Sequence, residues 1–267
     1  MLSMVRPLLI IYQWVTLSHF QKLDNLKKYI YLLISNLLLF LIFPLIRLIS
    51  KTYYEKNILP KLINFTCNSR PIDYQRKKVI PEAKGKVLEI GIGPGSNLKH
   101  YDTDKVISIL GVDPSKELNT IAKKRADKNN LNIEFLIESA SNLSVESESI
   151  DTVVSTYALC SIPEPNKTLQ EIKRVLKKDG VFIFSEHGLS PDKSVSFVQN
   201  STDFFYPKIS GGCHTNRDIE KLLLENNFNL TEMNNIYLPG TQKFLGYNYW
   251  GKACLLYTSD AADDFTS

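Results

Sequence analysis

Three glycines at alternate positions, Gly91, Gly93 and Gly95, directly follow an apolar run that ends in Ile90. Glycine accepts a positive φ and lets the backbone approach a ligand closely, so this spacing is typical of a turn that holds a phosphate or a carboxylate. A helix that begins after such a turn offers free backbone N–H groups to an anion. A plain glycine-rich turn has the same composition, so the three glycines alone leave both interpretations open.

An acidic residue stands where such a loop would need a partner. Asp113 ends the next apolar run, about twenty residues past the loop, where a ribose-binding acid is expected,. Its carboxylate could accept both ribose hydroxyls, and it could also cap a helix that begins near Ser115. A dinucleotide fingerprint would require glycine at position 96, and Ser96 stands there,. The spacing therefore favours a nucleotide-type ligand that is not a dinucleotide.

Two histidines are candidates for proton transfer. His187 follows the fifth predicted strand and His214 precedes a predicted helix, and both positions fall at the carboxyl edge of a parallel sheet, where ligands bind,. A neutral histidine can act as a base, but either residue could instead hold a loop through hydrogen bonds. Cys160 and Cys213 lie near them in the sequence, yet their spacing matches no zinc motif. We predict no metal and interpret both cysteines as small buried apolar residues.

Alternating apolar runs and helical stretches indicate the scaffold that positions these residues. The predicted strands cover residues 87–90, 106–112, 133–137, 150–155, 181–184, 230–238 and 247–253. A helix over 116–128 follows the second strand. A second helix, centred on Leu169 and Ile172, is predicted to end at Gly180 as a C-terminal cap. A third is predicted to be capped by Thr215, with Asp218 reaching back. This alternation predicts an α/β fold with a Rossmann-like, mostly parallel sheet of seven strands and helices on both faces.

Composition narrows the partners and the compartment. The chain has 267 residues, room for one sizeable domain with additions, and a net charge of +4 with scattered lysines,. No basic run is interleaved with aromatic residues, which argues against nucleic acid. The four cysteines lie far apart, which is typical of a reduced, intracellular protein. We expect a small-molecule substrate and a monomer.

The N-terminal segment, residues 1–50, is apolar. Residues 29–46 form a run of roughly 18 uncharged residues, the lower edge of what spans a bilayer as a helix,. Three interpretations stay open: a membrane anchor, an interfacial or re-entrant helix, and translated upstream sequence. We expect lead-in helices over 51–84 and the catalytic domain over 85–253. Residues 254–267 continue no strand or helix pattern, and we interpret them as a non-native tail.

From about Tyr54 to Ala253 the chain resembles class I S-adenosylmethionine-dependent methyltransferases of the type-11 group, bacterial relatives of the membrane-associated, methyltransferase-like 7 thiol methyltransferases. The segments that carry the resemblance are residues 87–95, 111–114, 151–155, 159–162, 185–188, 211–214 and 246–251. The resemblance implies a seven-stranded sheet whose last strand is antiparallel. From the composition of residues 1–50, we expect an apolar N-terminal helix before that sheet. The resemblance also implies S-adenosylmethionine as cofactor and a small, apolar methyl acceptor, a thiol or a lipid-like molecule. The alternative is a catalytically inactive nucleotide-binding or scaffold protein with the same fold.

The resemblance also assigns residues to parts of the cofactor. It implies that Glu89 orders the amino group of the methionine part, that Gly91, Gly93 and Gly95 pack against the cofactor, and that Asp113 binds the ribose. Thr156 would line the site after the fourth strand. Many relatives bind the adenine amino group with an aspartate, whereas Ser139 and Ala140 occupy that segment here. His187 and His214 would be the catalytic candidates. The catalytic domain is expected to face the cytoplasm, membrane-associated through residues 29–46, or else to be wholly cytoplasmic.

Overall fold

The computed structural model describes residues 30, 41–129 and 131–256, and the statements below concern those residues. Its α-helices are α1 (Phe43–Ile49), α2 (Lys51–Tyr53), α3 (Leu59–Thr66), α4 (Arg70–Val79), α5 (Lys116–Asn129), α6 (Pro165–Val175), α7 (Lys193–Thr202), α8 (Tyr206–Ser210), α9 (Ile219–Glu225) and α10 (Lys243–Gly246). A π-helical turn (Tyr54–Ile58) and two 3₁₀ turns (Ile80–Glu82 and Leu98–His100) stand between them. The strands are β1 (Gly85–Ile90), β2 (Val106–Val112), β3 (Ile133–Leu136), β4 (Ile150–Thr156), β5 (Leu176–His187), β6 (Phe228–Tyr237) and β7 (Tyr247–Leu255).

All seven strands form one sheet in the order β3-β2-β1-β4-β5-β7-β6. The first five strands pair in parallel, while β7 runs antiparallel to both β5 and β6. The chain winds outward on both sides of the β1–β4 pair, so the strand order reverses there. Ligands of open α/β sheets bind at the carboxyl ends of the strands beside this point. The predicted seven-stranded, mostly parallel sheet is confirmed, including its antiparallel strand.

Helices cover both faces of the sheet because the central strands are apolar on both sides. In β5, Phe182 and Phe184 belong to one hydrophobic cluster, and Ile183 between them belongs to another. The first cluster contains the apolar faces of α6 and α9, and the second contains residues of α4 and α5. The alternation of side chains along a strand thus builds one core on each face and holds the strand ends rigidly.

A third, smaller cluster joins the N-terminal helices to the sheet domain. Tyr54, Ile58 and Leu62 are buried against Ile209 of α8, and the partly buried Ile46 of α1 packs on the same cluster. The Tyr54 hydroxyl donates a hydrogen bond to the Ile209 carbonyl at 2.5 Å. The lead-in helices are therefore packed on the domain and bring α4 against β5 and β7.

Two predicted helix caps are wrong. Gly180 lies inside β5, which begins at Leu176 because the backbone already pairs there with Ile150 of β4. Asp218, and not Thr215, is the N-cap of α9, since its carboxylate accepts the Lys221 N–H at 3.0 Å. The Thr215 side chain is buried instead.

The terminal predictions fall mostly outside the described residues. Of the apolar run 29–46, the structure describes residue 30 and residues 41–46, and within the described part of the chain no helix is both long and apolar enough to cross a bilayer. The apolar N-terminal helix is not supported as a whole. At the other end, β7 continues through Leu255, which pairs with Phe228, so two residues of the expected tail belong to the sheet. Residues 257–267 lie outside the described part.

Candidate active site

The glycine loop leaves β1 at the strand-order reversal. Gly91, Gly93 and Gly95 all have positive φ, at 64°, 52° and 73°. A side chain at Gly91 would place its Cβ 2.5 Å from the Ala158 Cβ, whereas a Cβ at Gly93 would meet no heavy atom closer than 3.7 Å. The loop therefore needs glycine at 91 for packing against the segment after β4, and at 93 for backbone conformation. A Cβ at Gly93 would make only ordinary van der Waals contact, with the Gly91 carbonyl oxygen as the nearest atom.

Asp113 stands at the end of β2 and holds this loop. One carboxylate oxygen accepts the Gly93 N–H at 3.0 Å and the other accepts the Ser115 N–H at 2.8 Å. Burial raises the pKa of Asp113, and the two backbone hydrogen bonds oppose that rise. The contact to the Ser115 N–H lies just before α5, as expected for a residue that caps that helix. Each carboxylate oxygen keeps lone-pair capacity for a hydroxyl donor, and ribose binding by Asp113 stays a prediction.

Glu89 is almost fully buried at the end of β1. Its two oxygens accept hydrogen bonds from Asn97 at 2.9 Å and from the Tyr101 hydroxyl at 2.7 Å. Burial raises the pKa of Glu89 to about 7, although the hydrogen bonds and the nearby Arg76 guanidinium favour the charged form. A carboxylate held in this way is prepared to receive a cation, because a bound positive charge would offset the desolvation that raises its pKa.

Arg76 of α4 reaches the same group of residues and was missed from the sequence. Its guanidinium is buried, donates to the Asn97 amide oxygen at 2.7 Å and also donates to the Thr156 hydroxyl. The sequence does contain a signal for Arg76, the spacing of residues along α4. Ile72, Gln75, Arg76 and Val79 are spaced by three and four and lie on one buried face of α4,. Two polar residues on an inward helical face indicate a polar interior site.

The remaining predicted cofactor residues have different surroundings. The Thr156 hydroxyl accepts the Asn97 amide at 3.0 Å, which joins the end of β4 to the Glu89 network. Ser139 is exposed, and its hydroxyl lies 2.8 Å from that of Ser141 within the same turn. Ala140 packs into the core beside β4. Thr156 thus joins Glu89, while Ser139 and Ala140 stand apart from that network.

His187 ends β5 beside an aromatic ring. Its ring and that of Tyr157 meet edge to face with centroids 4.8 Å apart, and its Nδ1 is buried without a hydrogen-bond partner. Burial, together with the Arg76 charge, lowers the pKa of His187 to about 4. The imidazole is therefore neutral at physiological pH. A group with that pKa is a weak base for an acceptor that ionises near pH 8.5.

His214 lies in a separate hydrogen-bonded pair. Its Nδ1 is 2.7 Å from an Asp203 carboxylate oxygen, and its backbone N–H donates to the Cys160 carbonyl at 2.8 Å. The carboxylate can fix the tautomer that leaves Nε2 free to accept a proton, in the manner of a base oriented by an acid. Asp203 was not identified from the sequence, because only the tertiary fold brings the residue after α7 beside the segment after α8.

Glu186 organises the loop after β4. Its carboxylate is fully buried, accepts the Ser155 hydroxyl at 2.7 Å and accepts the N–H groups of residues 158–160 at 3.1 to 3.3 Å. The Cys160 and Cys213 sulfurs lie 3.5 Å apart as free thiols, and their contact and burial raise the pKa of Cys160. Among the described residues, no group of three or more metal-ligating side chains forms a cation site. The prediction of a metal-free site stays a prediction.

The residues at the strand ends fit a nucleoside cofactor that carries an amino acid. Buried polar atoms without partners surround the loop, namely Ser96 Oγ, Arg76 Nε and Asn119 Oδ1. Buried polar groups are normally hydrogen-bonded, so these atoms indicate a polar ligand or water. The acids at the ends of β1 and β2, Glu89 and Asp113, complete the fit. The fold and this site together define a nucleotide-cofactor-binding α/β protein.

Comparison with known proteins identifies the family. Residues 88–184 match the type-11 methyltransferase domain model. The chain is 31% identical over 185 residues to the thiol S-methyltransferase TMT1B of Homo sapiens, which covers 67% of this chain and 75% of that protein. The chain is also 34% identical to the thiol S-methyltransferase TMT1B of Rattus norvegicus over 142 residues. This match covers 51% of this chain and 58% of that protein. This chain belongs to the class I S-adenosylmethionine-dependent methyltransferases of the type-11 group, and S-adenosylmethionine is its cofactor.

A solved structure supports the same fold. A methyltransferase from Thermotoga maritima superposes with a TM-score of 0.56, covers 76% of this chain and 99% of its own, and is 17% identical. At that identity the likeness concerns the sheet and its helices alone.

Proposed function

We propose that this protein transfers a methyl group from S-adenosylmethionine to a small apolar acceptor, a thiol or a lipid-like molecule. The observation that carries the choice of acceptor is the 31% identity to a human thiol S-methyltransferase over two thirds of this chain. The site is compatible with this acceptor class. The segment of residues 157–160 after β4 is buried and apolar apart from its tyrosine hydroxyl and its thiol.

The donor is held by the ends of the first two strands in this proposal. Glu89 receives the ammonium of the methionine part, Asp113 the ribose hydroxyls, and the loop at Gly91, Gly93 and Gly95 supports the chain between them. Thr156 closes the site from β4. Ser139 and Ala140 lie next to the adenine in this proposal, and a backbone N–H of their turn is the expected contact to the ring.

When bound, S-adenosylmethionine supplies a sulfonium methyl group that is transferred by in-line displacement. The protein must then align the acceptor, exclude water and remove a proton where the acceptor carries one. We assign proton removal to His214, because an Asp203 carboxylate oxygen lies 2.7 Å from its Nδ1 and orients the ring,. A thiol with a pKa near 8.5 needs only modest assistance from such a base.

His187 has a different role in this proposal. Since its pKa is lowered to about 4, it stays neutral and positions Tyr157 and the acceptor rather than taking the proton. The two histidines can therefore be distinguished by the pH dependence of their variants.

The test is methyl transfer from labelled S-adenosylmethionine to a panel of aliphatic and aromatic thiols, phenols, amines and lipids. We expect methylthioether products from apolar thiols and no product from the amines. Cofactor binding without turnover on any member would contradict the proposed activity and favour the scaffold alternative. Turnover on phenols or lipids alone would replace the thiol with that acceptor class.

We also propose that the protein is a monomer whose catalytic domain faces the cytoplasm, associated with a membrane through residues 29–46. Residues 41–46, the described end of that run, support the proposal. Leu41 and Leu45 are 61% and 57% exposed, and Leu48, two residues past the run, is 81% exposed. Exposed leucines on one short segment are unfavourable in water and favourable at a lipid interface. Cosedimentation of the full chain with phospholipid vesicles tests this part independently of activity.

A further inference from the structure

Two opposite charges flank one buried amide in the site. Asn97 is completely buried, donates its amide N–H groups to Glu89 at 2.9 Å and to the Thr156 hydroxyl at 3.0 Å, and accepts from the Arg76 guanidinium at 2.7 Å. The carboxylate comes from β1, at the start of the glycine loop, and the guanidinium comes from α4 in the lead-in region. The tertiary fold alone brings these two charges to one place.

The Arg76 charge lacks an anionic hydrogen-bond partner. Within the described part of the chain, its hydrogen bonds go to the neutral side chains of Asn97 and Thr156, and its Nε is buried and unpartnered. The oxygens of Glu89 are directed to Asn97 and Tyr101 instead. Glu89 is near enough for the Arg76 charge to favour its ionised form, but Asn97 lies between the two groups. A buried guanidinium with no directly bonded anion and an unpartnered Nε is suited to bind an anionic ligand group,.

The amino-acid end of the donor matches this arrangement. It is a zwitterion whose ammonium and carboxylate are attached to one carbon, and Glu89 and Arg76 present the complementary charges on two sides of Asn97. We propose that Arg76 binds the carboxylate of the methionine part of the donor while Glu89 binds its ammonium. This inference rests on the donor site proposed above and adds a binding residue from outside the matched family domain, which begins at residue 88.

A purely structural arginine is the competing explanation. Arg76 also lies over the Tyr157 ring, 5.1 Å from its centroid, so its removal could disturb the loop after β4 without any contact to a ligand. The test must therefore separate the loss of one ligand group from a general loss of binding. Ligands that differ only at the amino-acid end make that separation.

The experiment measures the affinity of the full chain for three ligands by titration calorimetry. S-adenosylhomocysteine carries both charged groups, its decarboxylated analogue S-adenosyl-3-thiopropylamine lacks only the carboxylate, and 5′-methylthioadenosine lacks the whole amino-acid end; all three are thioethers. For Arg76→Met we expect S-adenosylhomocysteine to bind about 10–100-fold more weakly, the loss of one charge-assisted contact. We expect the other two ligands to change less than about threefold. Arg76→Lys should recover part of the lost affinity.

Three outcomes would overturn the inference. One is an unchanged affinity of Arg76→Met for S-adenosylhomocysteine, and another is an equal loss for all three ligands. If Arg76→Met does not fold, the unmodified protein and Arg76→Lys provide the test. The proposal is contradicted if each of these two proteins binds the ligands with and without the carboxylate equally well. Failure of the unmodified protein to bind any of the three would instead refute the donor site itself.

Arg174→Met is the matched control. Arg174 of α6 is an arginine with a structural role only, because it donates hydrogen bonds to the Glu171 carboxylate at 2.7 Å and to the Leu143 carbonyl at 3.0 Å. Its substitution should lower stability without changing the ratio of the affinities for S-adenosylhomocysteine and 5′-methylthioadenosine.

Discussion

The charge of Glu89 changes near neutral pH because burial raises the pKa of its carboxyl group to about 7. The ordinary value is 4.5, so between pH 4.5 and 7 the folded protein holds a proton that the unfolded chain releases. The free energy of unfolding then falls as pH rises through that window. Several neighbours share this behaviour, since burial also raises the pKa values of Asp113 and Glu186. A single substitution is needed to isolate the contribution of Glu89.

We predict that Glu89→Gln becomes more stable relative to the unmodified protein as pH rises from 5 to 8. The glutamine keeps the shape and cannot ionise, while Asp113 and Glu186 contribute equally to both proteins. Urea unfolding of the cofactor-free proteins at pH 5, 6, 7 and 8 measures the difference. A stability difference that is independent of pH would show that Glu89 titrates normally.

The two histidines should differ in the pH dependence of their variants. We expect His214→Asn to lower kcat for a thiol by about 100-fold at pH 7, because an oriented base is lost, and to lose less at pH 9, where the thiol ionises unaided. Asp203→Asn should show the same trend with a smaller loss. His187→Asn should change activity by a factor that does not depend on pH, since its imidazole is neutral throughout. An unchanged profile for His214→Asn would contradict its assignment.

At the scale of elements, the loop requires glycine at 91 and at 93 for different reasons. Gly91→Ala places a Cβ 2.5 Å from the Ala158 Cβ in addition to a positive φ. Gly93→Ala has only the positive φ, because its Cβ would meet no atom closer than 3.7 Å. We expect Gly93→Ala to cost roughly 1–2 kcal/mol of stability and Gly91→Ala to cost a further 1–3 kcal/mol or so, the usual range for overpacking. Denaturant unfolding of the two variants measures the order, and the reverse order would contradict the packing argument.

The cap of α9 gives a second prediction at this scale. Asp218→Ala removes the hydrogen bond to the Lys221 N–H and should destabilise the protein by about 0.5–2 kcal/mol,. Asp218→Asn, which keeps an accepting oxygen at the cap, should remain close to the unmodified protein. The comparison is made by urea unfolding, with an unchanged slope as the sign that both proteins unfold from the same folded state. Equal stability of the alanine variant would mean that Asp218 does not cap the helix.

For the whole molecule, the packing of α1 decides where the N-terminal segment can be removed. Ile42 and Ile46 pack on the cluster of Tyr54 and Ile58, so a deletion of residues 1–50 cuts into the domain. We predict that deletion of residues 1–40 weakens cosedimentation with vesicles, because the exposed Leu41, Leu45 and Leu48 remain, and leaves the affinity for S-adenosylhomocysteine within about twofold,. Deletion of residues 1–50 should abolish cosedimentation and also lower Tm. Vesicle binding by the protein that lacks residues 1–50 would place the membrane contact elsewhere.

Much of the scaffold could be predicted because its signals are local. The positions of the strands along the chain follow from short apolar runs between helical stretches, because the pattern of each run is read from its own few residues. Their order in the sheet came from the structure. The glycine loop and Asp113 could be predicted for the same reason, since positive φ and a strand-end acid are properties of a few consecutive residues. The caps at Gly180 and Thr215 were predicted wrongly. Strand pairing of Leu176 and side-chain capping by Asp218 depend on neighbours that a local pattern does not include.

The sequence by itself determined the fold class, the family and the position of the glycine loop, because each depends on short segments of consecutive residues. The tertiary structure alone decided which side chains meet. It placed Arg76 across Asn97 from Glu89, Asp203 beside His214, and Glu186 under the loop after β4. These contacts join residues 8 to 28 positions apart. Burial, which only the folded sheet with its covering helices creates, raises the pKa values of Glu89 and Glu186,.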